Sequence, residues 1–451
     1  MGVPGEGDSR QIGMIQCLAF AVGTMVGGGV FTLSGTAIND AGPAALLSYA
    51  IAGAIMLLSA LSFTAVAVRA APGDSGYGPI ADLLGKPWRF VVMWSFYVNG
   101  AMLLVFLLIS FGDYLNQYFF DLLAPTAAAL VAVGVIATLN LGPTAVVAKA
   151  ETAVVALKIV LLMMLVAWGL AKFKGDVFTP FSPHGSHGIS VASALLFTAY
   201  TGFNVVTNMA DKLKNPQRAI PIGVIGSILI SGVVYVGVIV AMLVSGVKNF
   251  GPDGVGQAAT ALMGSWGGYV LAFAACLSTL SGANANMLGA SEVMLRLVAQ
   301  GDVPEAVGRT SKGGHPTVSV ALITVGTVIL VLVANVNDII AYSNVAALIA
   351  MIVVNIAAIR LSARGWPGTG LRLPGGPLLP IIGVVTCASQ FPSIGWGRVA
   401  IGALIVMSGF LLYARRADER FAGDARRLAQ RSLDELTTPL GKALSRLVPR
   451  G

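Results

Sequence analysis

The sequence predicts an all-α, polytopic membrane protein of twelve transmembrane helices, in which two five-span halves of opposite orientation are followed by two more spans. Three observations predict it. The 451 residues are 56% hydrophobic and only 11% charged, with a mean hydropathy of +0.82, whereas soluble domains carry about 25% charged residues. Apolar stretches of roughly the twenty residues needed for one crossing recur along the chain. The first and the sixth of these are each interrupted by residues that disfavour a continuous helix.

The stretches fall near 12–37, 42–68, 90–118, 124–142, 148–171, 189–212, 219–246, 268–298, 316–334, 338–360, 376–391 and 395–414. Prolines 374, 377, 380 and 392 crowd the last two. Twelve crossings put both termini on one side, and basic residues choose that side. Arg10, Arg69, Lys86, Arg89, Lys149, Lys212, Lys214, Arg218, Arg296, Arg309, Lys312, Arg360, Arg364, Arg372, Arg415 and Arg416 fall on one face, against Lys172, Lys174, Lys248 and Arg398 on the other. The positive-inside rule makes the first face cytoplasmic. The net charge of +8 is thereby explained by orientation in an inner membrane, and nucleic acid is not an expected partner. Residues 1–10 read as a polar N-terminus without a cleavable signal, and 415–446 as a basic amphipathic tail on the membrane surface or in solution. Residues 447–451 look like a protease site left by an expression vector.

The first interruption is Gly23-Thr24-Met25-Val26-Gly27-Gly28-Gly29-Val30-Phe31. Glycine costs about 1 kcal/mol relative to alanine inside a helix, so the run predicts a break between half-helices at 12–22 and 30–38. Broken backbone at membrane depth needs a cavity or protein around it. The amides opening the second half-helix would then face a ligand carboxylate. The alternative reading of such glycines is close helix packing. The second interruption, Ala199-Tyr200-Thr201-Gly202-Phe203-Asn204, lies five spans later. An odd offset inverts the second copy, so the halves are 11–185 and 186–365, spans 11 and 12 occupy 366–414, and the site lies between the breaks.

Lys158 is about 16 Å along span 5 at 1.5 Å per residue, near the bilayer centre. There it costs on the order of 3 kcal/mol, so it should face the bundle interior. Other polar residues are less specific. Asn99, Asn284 and Asn286 either face a cavity or bond between helices. His184 and His187 read as solvated loop residues, and His315 as part of a turn. Cys17, Cys276 and Cys387 read as small core residues. No metal or cofactor is expected, and no nucleophile–base pair within the spans suggests an enzyme.

The glycine run ending Val30-Phe31, the Phe197–Phe203 break, Lys214-Asn-Pro-Gln-Arg218 with Pro221, and Ala290-Ser291 leading through Gln300-Gly301 to Pro304 together resemble the amino acid–polyamine–organocation (APC) transporters. The similarity spans about residues 10–414. It implies the LeuT-type fold and alternating access, with spans 1, 2, 6 and 7 moving against spans 3, 4, 8 and 9. It also implies that the amides of Gly27, Gly28 and Gly29 take a substrate carboxylate. Carbonyls near Met25, Thr198 and Thr201 take its ammonium, with Thr24 beside them, and Tyr200 and Phe203 line or gate the pocket. The family often has Ser or Thr where this chain has Gly28, and several members have an acid where it has Asn204. Glu292 stands where arginine is usual, a reversal of the usual inner-gate ion pair. In some members a lysine at the position of Lys158 replaces a sodium ion; here it would bond to span 1 carbonyls and to Ser278 or Ser281, and a proton-carrying role stays open. The expectation is a sodium-independent transporter or exchanger of a small neutral amino acid or related amine, open to proton coupling. Sodium-coupled or basic-substrate transport and ligand sensing are the rivals.

Overall fold

A computed structural model describes residues 13–70, 76–120, 124–141, 144–173, 175–203, 206, 213–311, 316–367 and 370–416, the side chains of Phe20 and of 144–152 excepted. Every regular element among them is helical. In chain order the principal helices are α1 (Met14–Met25), α2 (Ser34–Ala41), α3 (Ala45–Ala67), α4 (Gly78–Leu84), α5 (Lys86–Tyr118), α6 (Pro125–Leu141), α7 (Thr144–Ala171) and α8 (Gly185–Leu196). They continue with α9 (Pro216–Val244), α10 (Gly254–Met263), α11 (Ser265–Ala299), α12 (Thr317–Val333), α13 (Val336–Ala363), α14 (Leu378–Ala388), α15 (Phe391–Ile394) and α16 (Trp396–Arg416).

Seven helical stretches among the described residues are long and apolar enough to cross a membrane, the first being Met14–Ala67 with its interruptions. Three shorter apolar stretches, Pro125–Leu141, Thr317–Val333 and Leu378–Ile394, lie where spans 4, 9 and 11 are expected. Local chemistry sets many of the ends. Proline occupies the first turn of α5 and α9, where its missing N–H costs nothing. The Asn335 side chain accepts from the Asn337 amide at 2.9 Å to cap α13. Helix α10, between α9 and α11, which the hydropathy pattern does not announce, ends at Gly264 with φ +83°.

Two sets of helices pack around the centre. The long helices α5 and α11 run against each other, with α13 and α6 also on α5. Helix α9 packs against α1, α3 and α7, and α8 against α2 and α3. Asparagines join helices within the first set. Asn99 on α5 donates to Ser343 Oγ on α13 at 2.8 Å, and Asn140 on α6 donates to Asn284 on α11 at 2.7 Å. Asn99 and Asn284 therefore take the interhelical reading of the two open to them. At the Lys86 end, Arg89 pairs with the buried Asp302 at 2.9 Å. Arg69 there donates to the Pro367 and Leu371 carbonyls at 3.0 and 3.1 Å, and its guanidinium lies 5.6 Å from the Trp366 ring. The three cysteines are buried and free.

Candidate functional site

The interrupted stretches meet at the centre of the molecule. Helix α1 stops at Met25, Val26 leaves helical geometry at ψ 53°, and the chain resumes as a wide π-type turn over Gly29–Leu33 before α2. The break is thus shorter than the sequence suggests, because the first half-helix ends at Met25, three residues beyond 22. Gly28 keeps ordinary helical angles, so the run serves close approach. A Cβ on Gly29 would lie 3.1 Å from the Ala199 Cα, and one on Gly28 would collide with the Leu107 side chain. Both readings of the glycine run, break and packing, are realised at once.

Helix α8 passes into a tight turn at Phe197–Tyr200, after which Thr201 is extended and Gly202 takes φ +120°. Only glycine adopts that angle readily. A side chain on Gly202 would also come within 3.0 Å of Thr24 and 3.4 Å of the Met25 amide nitrogen. The two breaks are therefore in backbone contact, Gly29 against Ala199 and Gly202 against Thr24 and Met25.

A small cavity of about 20 Å³ lies beside this contact, lined by both breaks, by Leu103, Phe106 and Leu107 of α5, and by Asn286 of α11. Of the residues expected at the site, Thr24, Met25, Gly27, Gly28, Gly29, Thr198 and Thr201 line it. Tyr200 and Phe203 are not among its lining residues. Tyr200 turns toward Tyr49 and Tyr235, with ring centroids 6.3 and 5.2 Å away, and donates to the Tyr49 carbonyl at 3.2 Å. Phe203 meets Phe63 edge-on at 5.9 Å, and Phe63 packs on Tyr77 and Phe96. These four rings are buried as one cluster toward the Lys86 end of α5. Asn204 lies outside the described residues, as does His315. His184 is 2.8 Å from the Asp40 carbonyl through Nδ1.

Breaking α1 frees carbonyls that intrahelical bonding no longer satisfies, and side chains from three other helices reach them. Lys158 Nζ, on α7, donates to Gly23 O at 2.6 Å; Tyr235, on α9, to Met25 O at 2.6 Å; and Ser278, on α11, to Val26 O at 3.1 Å. Lys158 is 1% exposed and so lies inside the protein. Ser281 is one turn from Ser278 on the same helix and is also buried. The Tyr235 hydroxyl lies 2.8 Å from Ala199 O as well, bridging the two breaks. The Thr198 carbonyl accepts from both the amide and the hydroxyl of Thr201, at 3.1 and 2.7 Å.

Sequence reasoning missed Tyr235, Asn344 and the three cavity residues of α5. Asn344 bonds to the Thr198 hydroxyl and donates to Ala194 O at 2.8 Å. The available signal was weak: polar residues within apolar spans, of which the chain has many.

Multi-pass, all-helical architecture with a small cavity between two interrupted helices defines a membrane protein built around a small-molecule site. Its family follows from comparison. The amino acid permease family matches residues 16–403, and the chain belongs to that family, within the APC superfamily. It is similar to the branched-chain amino acid permease BcaP of Bacillus subtilis, 25% identical over 439 residues that cover 90% of this chain and 93% of the relative. It is also similar to cationic amino acid transporter 1 of Arabidopsis thaliana, 24% identical over 400 residues covering 84% and 66%. A third relative, the methylthioribose transporter of Bacillus subtilis, is 27% identical over 248 residues, 51% of this chain and 53% of its own.

Proposed function

We propose that this protein carries a neutral amino acid with a small apolar side chain across the cytoplasmic membrane by alternating access, without sodium. The observation that carries the substrate class is the composition of the cavity wall. Gly27–Gly29 offer backbone at one part of it, Leu103, Phe106 and Leu107 offer apolar surface, and no acidic side chain is among the lining residues described. A second ammonium on a basic substrate would be costly in such a wall without a counter-charge. Between the relatives' named substrates, branched-chain and cationic amino acids, the wall therefore favours the first.

In this reading the chain crosses the membrane twelve times with both termini in the cytoplasm. Residues 11–185 and 186–365 form the inverted halves, and α1, α3, α8 and α9 move against α5, α6, α11 and α12. The cluster of Phe63, Tyr77, Phe96 and Phe203 is the closed cytoplasmic route. Lys158, with its charge against the freed Gly23 carbonyl, supports cation-independent closure of the break: an ammonium stands where a coupling ion would otherwise be needed. Transfer of a proton from this lysine is the step that would couple transport to the proton gradient.

The test is uptake of a labelled amino acid panel into proteoliposomes under imposed sodium or proton gradients, for wild type and Lys158→Ala. Accumulation of a neutral amino acid with the proton gradient, indifferent to sodium and uncoupled by the substitution, supports the reading. Sodium-driven uptake, or no movement of any amino acid, overturns it.

A further inference from the structure

The geometry points to Asn344 as a positioning residue that fixes the Thr198 hydroxyl as a hydrogen-bond acceptor at the cavity, and so selects substrates presenting an N–H donor there. This rests on the amino acid reading above and goes beyond it, because Asn344 lies on α13, which contributes no residue to the cavity wall described.

The argument is one of donor and acceptor accounting. Asn344 is 1% exposed, so water does not satisfy its amide. One side of that amide faces Ala194 O at 2.8 Å, a carbonyl in the last turn of α8 that the ending helix leaves available. A carbonyl only accepts, so the Asn344 nitrogen must stand on this side and the orientation of the amide is fixed. Its oxygen consequently faces Thr198 Oγ1. An amide oxygen also only accepts, which commits the single hydroxyl proton of Thr198 to Asn344. What Thr198 retains for anything in the cavity is lone pairs. Its own carbonyl accepts two bonds from Thr201, so the hydroxyl is the acceptor this residue has left to offer. The neighbouring Ser343 is bonded to Asn99 on α5, which fixes the helix carrying Asn344 against the cavity-lining helix.

A ligand with an ammonium or amine in this position is accepted. One with a carbonyl oxygen in its place meets lone pair against lone pair, and a buried acceptor without a donor is penalised. The discriminating pair of probes is L-valine and its 2-oxo analogue, 3-methyl-2-oxobutanoate, which share a carbon skeleton and a carboxylate.

Binding of both probes is measured on purified wild type, Asn344→Leu, Thr198→Val and the double variant. With Asn344→Leu the hydroxyl is free to turn and donate, and the preference for valine over the oxo acid is expected to fall about tenfold. Thr198→Val, which removes the hydroxyl altogether, should lower the same ratio, and the double variant should lower it no further than Thr198→Val alone. A merely structural role for Asn344 would weaken both probes alike and leave the ratio unmoved, which overturns the inference. Should Asn344→Leu fail to fold, an unchanged ratio in Thr198→Val overturns it equally. Wild type that binds valine while the ratios stay constant sinks this inference alone; wild type that binds no amino acid sinks the functional reading and this inference together.

Discussion

The Lys158 ammonium donates to the Gly23 carbonyl at 2.6 Å, joining the middle of α7 to the last turn of α1 before its break. Lysine is four methylenes long, and here that length carries the ammonium to a backbone oxygen inside the protein. Lys158→Met keeps most of the stem and removes the donor. Leaving a buried acceptor unmet costs about 1–3 kcal/mol, so a lower melting temperature in detergent is expected, and proton-driven accumulation should vanish while substrate exchange between the two sides persists. Retained proton-driven accumulation in Lys158→Met, measured in proteoliposomes, would remove the lysine from the coupling step.

Tyr235 touches both breaks with one hydroxyl. Tyr235→Phe deletes only that oxygen and leaves the Met25 and Ala199 carbonyls, 2.6 and 2.8 Å from it, without this partner. The transport rate is expected to fall by about tenfold with little change in expression, equivalent to roughly 1.4 kcal/mol of lost differential stabilisation. Initial rates of uptake, normalised to protein in the membrane, read it.

Leu107 occupies the room that a side chain on Gly28 would need. Gly28→Ala should therefore depress uptake strongly, by about tenfold or more, because overpacking a tight wall costs about 1–3 kcal/mol. Gly28→Ala combined with Leu107→Ala should recover most of it, since the second change vacates the contested space. Failure of the pair to recover would mean that Gly28 is needed for its backbone amide geometry and not for space.

Phe203 seals a cluster of four buried rings. Phe203→Ala opens a void that costs about 3–5 kcal/mol in a well-packed core. If the cluster closes the cytoplasmic route, the variant should leak: preloaded substrate should leave proteoliposomes faster without any counter-substrate. Unchanged efflux would reduce the cluster to packing.

The parts of the site that could be read from the sequence are those written in local chemistry. A glycine run inside an apolar span, and a Thr-Gly step five spans later, carry their backbone cost wherever they occur. A lysine at mid-span is equally legible, because its desolvation must be answered by some partner. Leu103, Phe106 and Leu107 were not legible, since nothing distinguishes them from the other apolar residues of α5 until the breaks are set beside them. Tyr200 and Phe203 face away from the cavity for a geometric reason. The tight turn at Phe197–Tyr200 advances by about three residues per turn instead of 3.6, and the Gly202 angle then redirects the chain. Facing directions extrapolated from α8 do not survive that passage. Asn344 was hidden because its partners, Thr198 and Ala194, are about 150 residues away in the chain.

Two charge pairs differ in how much of each solvent ions can reach. Arg398 and Asp338, 2.7 Å apart, are 47% and 37% exposed, whereas Arg89 and Asp302 at the Lys86 end are 12% and 1% exposed. Dissolved ions shield exposed charges over about 10 Å at 0.1 M and hardly reach enclosed ones. Raising the salt during extraction from the membrane should therefore loosen the clasp between α13 and α16 and leave the one between α5 and the segment after α11 fastened. Ionic strength becomes a handle on one end of the protein only.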